Sequence, residues 1–518
     1  MSIFTHTDLR SYTLDRRYFA AFLVFQGLMV AGSIFYTELL PALLVVSLLA
    51  VLFVTGVLVR PWLILPMIVL TTGLDSTGRL IGEAGKIQGM FHLTGFHLTF
   101  GLMIIALAAN ICLTRRVRFP DFDVKAPLFL FLGCIAVSLT YSPNQPEATV
   151  SFMRICALVL FTYMVQIIID SKQAVSAVLW SMVIFTVSGA VMGTYQVVTG
   201  QFHLPVKVIT ALGGNVPRAT GTFHNPNIFA SFMMSGVLPL LAVLLNYKMG
   251  RGQRILFALS TVIGVGGLLA SFSRSSWVAT MIGVMVILWL SGKMRYFFIL
   301  ILASIVLILG LKEFVPFAEY IFERFISIFT LFSQFGSVGR TSSTARIFLI
   351  IASLDMFFDH PFLGIGWRAF PHVFSGYAPP GYPHWSYVNE PHTVITMVLG
   401  ELGIVGFTAF MWFVCRTFFL SIGRFYRMQD SYLRAVAIGL IATFVAFQVN
   451  QSFNGDLPNN NVLVLHRHVI RRAAAGGRLA QDVKVLVASR LYPSSAYPSR
   501  GTFVHEQVRF LNAHCDLE

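Results

Sequence analysis

Apolar runs long enough to cross a lipid bilayer recur along most of this 518-residue chain, and they restrict its fold more than any other feature. A helix needs about 20 such residues to span the hydrocarbon layer, and about thirteen segments approach or exceed that length. Charged residues make up 11% of the chain and apolar residues 56%, which is too little charge to cover a soluble protein of this size. The sequence therefore predicts an all-α integral membrane protein with about 12–13 transmembrane helices.

The predicted spans follow from the positions of these apolar runs. They lie near residues 18–36, 39–58, 60–74, 96–113, 126–141, 150–169, 174–198, 226–246, 254–272, 275–291, 294–313, 393–415 and 433–450. The first run is not a cleavable signal peptide, because it starts only after the basic pair Arg16-Arg17 and further spans follow at once.

The net charge of +15 raises the possibility of nucleic-acid binding, but the placement of the charge argues against it. Short, basic connections such as 115–118 alternate with longer loops that are poorer in Lys and Arg, as the positive-inside rule requires of a membrane protein. We therefore expect a cytoplasmic N-terminus, an inner-membrane location and no nucleic-acid partner. The longer outer loops are 75–95, 199–225 and 314–392.

Cysteine usage indicates neither a disulfide framework nor a metal site. Four of the five cysteines lie in or beside apolar segments, where small buried residues are expected, and only Cys515 lies in a polar stretch. We expect no cofactor and no bound metal.

The first candidate site precedes the predicted span at 226–246. Asn225 is a good helix N-cap and Pro226 suits the first helical position, so a positive helix end faces the outer side. Such an end attracts phosphate, and Arg218 would reinforce the attraction. The alternative is an ordinary capped helix with an arginine at the membrane interface.

Two further arginines are predicted on the same side. Ser343 or Thr344 can cap a helix that starts at Arg346, and Arg346 would then bind either a phosphate group or lipid headgroups. Arg274 lies in the outer turn between two spans, where it either meets a phosphate or positions the turn.

The segment Asn389-Glu390-Pro391-His392 leads into the next span by the same cap-then-proline pattern. In the first turn of that helix His392 would favour a neutral imidazole, which suits a general base. A polar anchor at the interface is the alternative. Glu401 lies roughly opposite on the same helix, and we interpret it as a structural partner for a buried donor.

These motifs resemble those of the O-antigen ligase and O-antigen polymerase superfamily of bacterial inner-membrane proteins, over roughly residues 20–455. The resemblance rests on Arg218-Ala-Thr-Gly-Thr-Phe-His-Asn-Pro-Asn227, Ser273-Arg274, Arg346 followed by Asp359-His-Pro-Phe-Leu-Gly-Ile-Gly366, Asn389-Glu-Pro-His392, and Glu401-Leu-Gly-Ile-Val-Gly406.

The resemblance implies a metal-independent glycosyltransferase acting at the periplasmic face, among membrane lipids. It moves a glycan from undecaprenyl pyrophosphate to a sugar hydroxyl, either on lipid A–core in a ligase or on a growing glycan in a polymerase. By position in the motifs, Arg218 and Arg346 would hold the pyrophosphate, and His392 would position or deprotonate the acceptor. The residues expected to bind substrate are Arg274, Asn225, Asn227 and Asn389.

The chain divides into a membrane domain, 1–455, and an atypical tail, 456–518. In the tail, 483–489 is typical of a buried strand and a helix is predicted from about 503. It resembles the opening of a soluble, nucleotide-sugar-dependent glycosyltransferase, from which no sugar-nucleotide site can form. We interpret this short α/β tail as a fusion or a frame disruption between neighbouring genes.

Two other classes of protein remain open from the sequence. A secondary transporter also has about twelve spans, but transporters usually carry ionisable residues near the bilayer midplane and two matched halves. Here the polar residues concentrate at the outer face and no internal repeat is visible. A non-catalytic component of a polysaccharide export complex is the other alternative.

Overall fold

The computed structural model describes most of the predicted membrane domain from residue 61 onward. The described residues are 61–74, 86–87, 91–92, 99–105, 107–108, 123–169, 171–200, 208–211, 214–223, 225–299, 302, 306, 310, 316–329, 342–379, 382, 391 and 393–453. The predicted spans at 18–36 and 39–58 and the tail 456–518 lie outside the described residues.

The described chain is helical apart from two short antiparallel hairpins. The helices are α1 (Ile64–Leu74), α2 (Lys125–Ser138), α3 (Gln145–Ile168), α4 (Lys172–Thr199), α5 (Pro226–Asn246), α6 (Arg251–Ala270), α7 (Arg274–Leu290), α8 (Pro316–Phe329), α9 (Ser342–Asp359), α10 (Phe370–Tyr377), α11 (Val394–Phe425) and α12 (Ser431–Gln451). The hairpins pair β1 (Lys86–Ile87) with β2 (Phe91–His92), and β3 (Val208–Ala211) with β4 (Gly214–Pro217).

The helices fall where the apolar runs predict spans. Within the described residues, six helices are long and apolar enough to cross a membrane, namely α3, α4, α5, α6, α11 and α12, and the apolar helices α2 and α7 are shorter. The all-α membrane fold is thus confirmed, while the total of 12–13 spans remains a prediction.

The bundle is centred on α5, which packs against α4, α6, α7 and α12. Close approach of α5 and α12 depends on Gly439, where an added Cβ would lie 2.5 Å from the Cα of Pro239. Small residues at such crossings allow helices to gain van der Waals contact in a lipid environment. This central group carries one side of the candidate site.

Helix α11 contains a break that its apolar sequence does not indicate. Gly403 has φ +63° within the helix, which interrupts the regular backbone hydrogen bonds. A segment that follows α9 supplies the missing partners: the Ile365 N–H donates to the Gly400 carbonyl at 3.1 Å, and the Ile404 N–H donates to the Pro361 carbonyl at 2.8 Å. A break in a membrane helix is tolerated when its backbone groups are paired in this way.

Candidate active site

Arg218 lies in the loop between β4 and α5, and its guanidinium is held from two sides. Its Nε donates to the Ser271 carbonyl at 2.8 Å, and its Nη2 donates to Asn227 Oδ1 at 2.9 Å. The next residue is fixed as well, because the Ala219 N–H donates to the Ala270 carbonyl at 2.9 Å. Arg218 is therefore attached both to the turn between α6 and α7 and to the first turn of α5.

Gln196, near the end of α4, holds the rest of this loop. Its side chain is 2% exposed. Its Oε1 accepts the N–H groups of Thr220 at 3.1 Å and Gly221 at 2.9 Å, and its Nε2 donates to the Gly221 carbonyl at 2.8 Å. Gly221 has φ +55°, a conformation that favours glycine. Gln196 could not be predicted from its sequence neighbours, because its hydrogen-bond partners lie 24 and 25 residues further along the chain.

The predicted start of α5 is confirmed. Asn225 is the N-cap, Pro226 is the first helical residue, and Asn225 Oδ1 accepts the Asn227 N–H at 2.9 Å. Two of the side chains that were expected to bind substrate thus also have structural roles. Asn225 caps the helix, and Asn227 accepts a hydrogen bond from Arg218. His224, between the loop and the cap, lies outside the described residues.

Four arginines from different elements converge at this end of the bundle. Arg218 and Arg346 were singled out in the sequence as pyrophosphate ligands and Arg274 as a substrate-binding residue, while Arg324, on α8, was not. Burial, followed by the charges of Arg324, Arg346 and Arg274, lowers the pKa of Arg218 to about 9. Burial and the charges of Arg274 and Arg346 lower the pKa of Arg324 to about 10. For Arg346, burial and the charge of Arg274 also lower the pKa to about 10.

These shifts describe a buried, strongly electropositive site. Each guanidinium loses water, and each is close enough to another to be disfavoured by like charge. Arg324 is also anchored, since its Nε donates to the Phe272 carbonyl at 3.3 Å. Phe272 itself has φ +51°, a strained conformation for a residue with a side chain. A bound polyanion would relieve the repulsion among the arginines.

The helix that carries Arg346 does not start where the sequence predicted. It begins at Ser342, four residues earlier, so Arg346 follows the first turn and is not the first helical residue. Helix α9 packs against α11. Leu349, Ala352 and Met356 are buried, as expected for an apolar helix that packs against the rest of the protein.

The start of the following span also differs from the prediction. Helix α11 begins at Val394 with Thr393 in the N-cap position, so the pattern of Asn389 and Pro391 does not initiate the helix and His392 precedes its first turn. The prediction that His392 belongs to the first turn of this helix is therefore wrong. The side chains of Asn389 and His392 lie outside the described residues.

Glu401 is a buried partner for donors, as predicted. It is 2% exposed, and its carboxylate accepts the N–H groups of Arg368 at 2.9 Å and Phe370 at 3.2 Å. The same segment is also tied to α3: Arg368 Nη2 lies 2.9 Å from Glu147 Oε1, and His372 Nε2 lies 3.2 Å from Glu147 Oε2. Nothing local in the sequence indicates these contacts, which join residues more than 220 positions apart.

Comparison with known proteins finds a family likeness for part of this region. Residues 259–411 match the family model of O-antigen ligases, a range that includes Arg274, Arg324 and Arg346 and leaves Arg218 outside. A search of curated proteins found no match to the chain. Over residues 259–411, the chain is similar to the O-antigen ligase family, and its long apolar helices are those of a multi-pass membrane protein.

Proposed function

We propose that this protein transfers a glycan from undecaprenyl pyrophosphate to a sugar hydroxyl at the outer, periplasmic face of the bacterial inner membrane. The observation that carries the proposal is the burial of Arg218 among like charges, since the charges of Arg324, Arg346 and Arg274 lower its pKa. A pyrophosphate presents several anionic oxygens to such a cluster. A single carboxylate would neutralise much less of this positive charge.

In the proposed reaction the acceptor hydroxyl oxygen attacks the anomeric carbon of the donor sugar. A new glycosidic bond forms, the bond between that carbon and the phosphate oxygen breaks, and its electron pair leaves with undecaprenyl pyrophosphate. Arginines stabilise the negative charge that develops on the leaving oxygen, which removes the need for a metal ion in this role. The hydroxyl proton passes to a general base, for which His392 is the candidate.

The anchoring of Arg218 supports the role of the cluster. Its guanidinium is held by Ser271 and Asn227. Electrostatic catalysis requires charges that are in place before reaction, so that little reorganisation accompanies charge development. These two anchors use two of the five N–H donors of a guanidinium, so its donor capacity exceeds what Ser271 and Asn227 take up.

Two acceptors fit this chemistry equally well. In a ligase the acceptor is lipid A–core, and in a polymerase it is another lipid-linked glycan. The family match favours glycan transfer over secondary transport, and a non-catalytic role in an export complex is an outcome of the following test.

The test is complementation of a deletion strain with wild type, Arg346→Ala, His392→Ala and a control, Arg254→Ala, at matched membrane levels. Arg254 is an exposed arginine in the first turn of α6, at the predicted cytoplasmic end, so its loss should leave activity intact. Lipopolysaccharide and lipid-linked glycans are then resolved by length. Long glycans retained on undecaprenyl pyrophosphate indicate a ligase, and single repeat units indicate a polymerase.

We expect Arg346→Ala and His392→Ala to reproduce the deletion phenotype while Arg254→Ala restores the wild-type pattern. If Arg346→Ala and His392→Ala both restore the wild-type glycan pattern, the catalytic assignment is wrong and the non-catalytic role is favoured. If only His392→Ala restores it, the arginine site stands and the proton acceptor must be another group.

A further inference from the structure

A ring of polar groups in contact with one another, closed through the backbone carbonyl of Asn227, lies inside the bundle next to Arg218. Ser273 Oγ lies 3.0 Å from Asn227 Oδ1 and 3.1 Å from Ser276 Oγ, and Ser276 Oγ lies 3.2 Å from Asn450 Oδ1. Asn450 Nδ2 donates to Ser231 Oγ at 2.6 Å, and Ser231 Oγ donates to the Asn227 carbonyl at 2.9 Å. The ring therefore returns to the residue from which it started.

The ring joins three helices of the central bundle. Asn227 and Ser231 belong to α5, Ser273 and Ser276 to the start of α7, and Asn450 to the end of α12. Asn450 is 1% exposed and Ser276 is fully buried. Asn450 is the only member from α12, and its amide bridges the α5 and α7 parts of the ring.

Burying a ring of polar groups inside a membrane protein costs free energy. Buried polar groups must find partners inside the protein, and apolar side chains of similar volume would pack there without that requirement. Each helix hydroxyl can also satisfy itself on a carbonyl of its own helix, as Thr443 does on the Gly439 carbonyl at 2.8 Å. The interhelical hydrogen bond of Ser276 is therefore not needed merely to bury its hydroxyl.

The connection to the arginine cluster is made through Asn227. Its Oδ1 accepts from Arg218 Nη2 at 2.9 Å and from Ser273 Oγ at 3.0 Å. The orientation of the Asn227 amide, and with it one of the two anchors of Arg218, thus depends on where Ser273 lies. Ser273 donates its hydroxyl proton to Asn227, and Ser276 donates its own to Asn450, so Ser276 positions Ser273 by the 3.1 Å contact between their oxygens. Ser275 Oγ also lies 3.3 Å from Ser273 Oγ.

We infer that Asn450 is a positioning residue for the glycan-transfer site, and that it acts through Ser276, Ser273 and Asn227 to hold the Arg218 guanidinium in place for a pyrophosphate. The inference rests on the proposed function, since it assigns Asn450 to the same anion site. Asn450 does not touch the substrate in this arrangement. Its effect on binding is exerted only through Arg218.

The test is a double-mutant cycle on the purified full-length protein in detergent, with geranyl pyrophosphate as a soluble isoprenyl pyrophosphate probe. Binding is measured by calorimetry for wild type, Asn450→Ala, Arg218→Ala and the double variant. Ser276→Ala provides a second, smaller perturbation of the same ring in case Asn450→Ala folds poorly. Thr443→Val is the matched control, because it removes a buried polar group of α12 that lies outside the ring.

We expect Asn450→Ala to weaken probe binding by about tenfold, the size typical of losing a hydrogen bond to a charged group. Ser276→Ala should weaken it less and Thr443→Val not at all. In the Arg218→Ala background Asn450→Ala should have no further effect, because the residue through which it acts is gone. A merely structural role would instead give losses that multiply.

The inference is overturned if Asn450→Ala and Ser276→Ala bind the probe as tightly as wild type, or if their losses multiply with that of Arg218→Ala. In either case a loss of binding in Arg218→Ala alone would still support the proposed anion site. If Arg218→Ala binds as wild type does, the proposed pyrophosphate site fails, and the role of Asn450 fails with it.

Discussion

The arginine cluster should make the ligand-free protein less stable than its packing allows, and Arg346→Met tests this. Burial and the charge of Arg274 lower the pKa of Arg346 well below the ordinary range of a guanidinium, to about 10. One pKa unit corresponds to about 1.4 kcal/mol, so keeping this guanidinium charged in the folded state costs about 3 kcal/mol at neutral pH. The sign follows from the lowered pKa, because the folded state binds the proton less tightly than the unfolded state does.

Methionine has a similar length, carries no charge and adapts to irregular space, so the substitution removes the cost while keeping most of the packing. Some of the gain is lost with the contacts of the guanidinium, and a net stabilisation of about 1–3 kcal/mol is expected. The penalty is constant between about pH 5 and 9, where both states remain charged, so one neutral pH is sufficient.

The assay is thermal unfolding of the purified protein in detergent, followed by tryptophan fluorescence, with and without pyrophosphate. Without the anion, Arg346→Met should unfold at a higher temperature than wild type, and the exposed control Arg254→Met should not differ. Pyrophosphate should raise the unfolding temperature of wild type more than that of Arg346→Met, since it binds the folded cluster. The variant should meanwhile lose glycan transfer, as expected where a site is optimised for charge and not for stability.

An equal or lower unfolding temperature for Arg346→Met would refute the reasoning, because it would mean that the surrounding protein already compensates the buried charge. An equal effect of pyrophosphate on both proteins would show that the anion binds elsewhere.

Three further predictions concern the scaffold of the site. Glu401→Ala should destabilise the protein by about 2–6 kcal/mol in a denaturant titration, because two buried N–H groups lose their acceptor, and Glu401→Gln, which keeps one acceptor, should cost about half as much. Gly403→Ala should fail to accumulate in the membrane by immunoblot, because φ is +63° and the new Cβ would lie 2.3 Å from a backbone carbonyl oxygen, whereas Gly423→Ala in the same helix meets nothing within 4 Å and should accumulate normally. Burial opposes ionisation of Asp430, but hydrogen bonds from Leu433 and Lys172 outweigh this effect and lower the pKa of its carboxyl group. The stability that the ionised carboxylate contributes is therefore present above about pH 4 and is lost as the pH falls further. The unfolding temperatures of wild type and Asp430→Asn should converge below about pH 4.

Local chemistry was sufficient to predict much of the fold. The limits of α5 follow from the Asn225 cap, the Pro226 start and the apolar run, and they coincide with the predicted span. Helix α4 and helix α12 are likewise within two residues of their predicted limits. In these helices the residues that decide the boundaries lie beside the boundaries, so the sequence alone contains the information.

The features that the sequence did not predict depend on distant partners. Helix α11 extends to Phe425, about ten residues beyond the predicted span, and its break at Gly403 exists only because the segment before α10 pairs with it. Arg324 is one charged residue of the amphipathic helix α8. Nothing near it in the sequence indicates that it lies close to Arg218 and Arg346. The start of the helix that carries Arg346 was misplaced because Ser343 and Thr344, which are good cap residues, lie within the helix that begins at Ser342.

Residues 361–372 contact α11 at its break, and α11 is the helix that follows the candidate base, His392, in the sequence. Helix α11 begins two residues after His392, and its first part, from Val394 to the break at Gly403, is held by Glu401 and by backbone pairing to 361–366. A straight helix would fix that first part by the direction of its remaining turns, down to Phe425. Because the helix is broken, the angle of its first part is set by residues 361–372. Contacts of Arg368 and His372 with Glu147 hold this segment to α3. Residues 361–372 are therefore held both to α11 and to α3, and the angle of the first part of α11 depends on this double attachment.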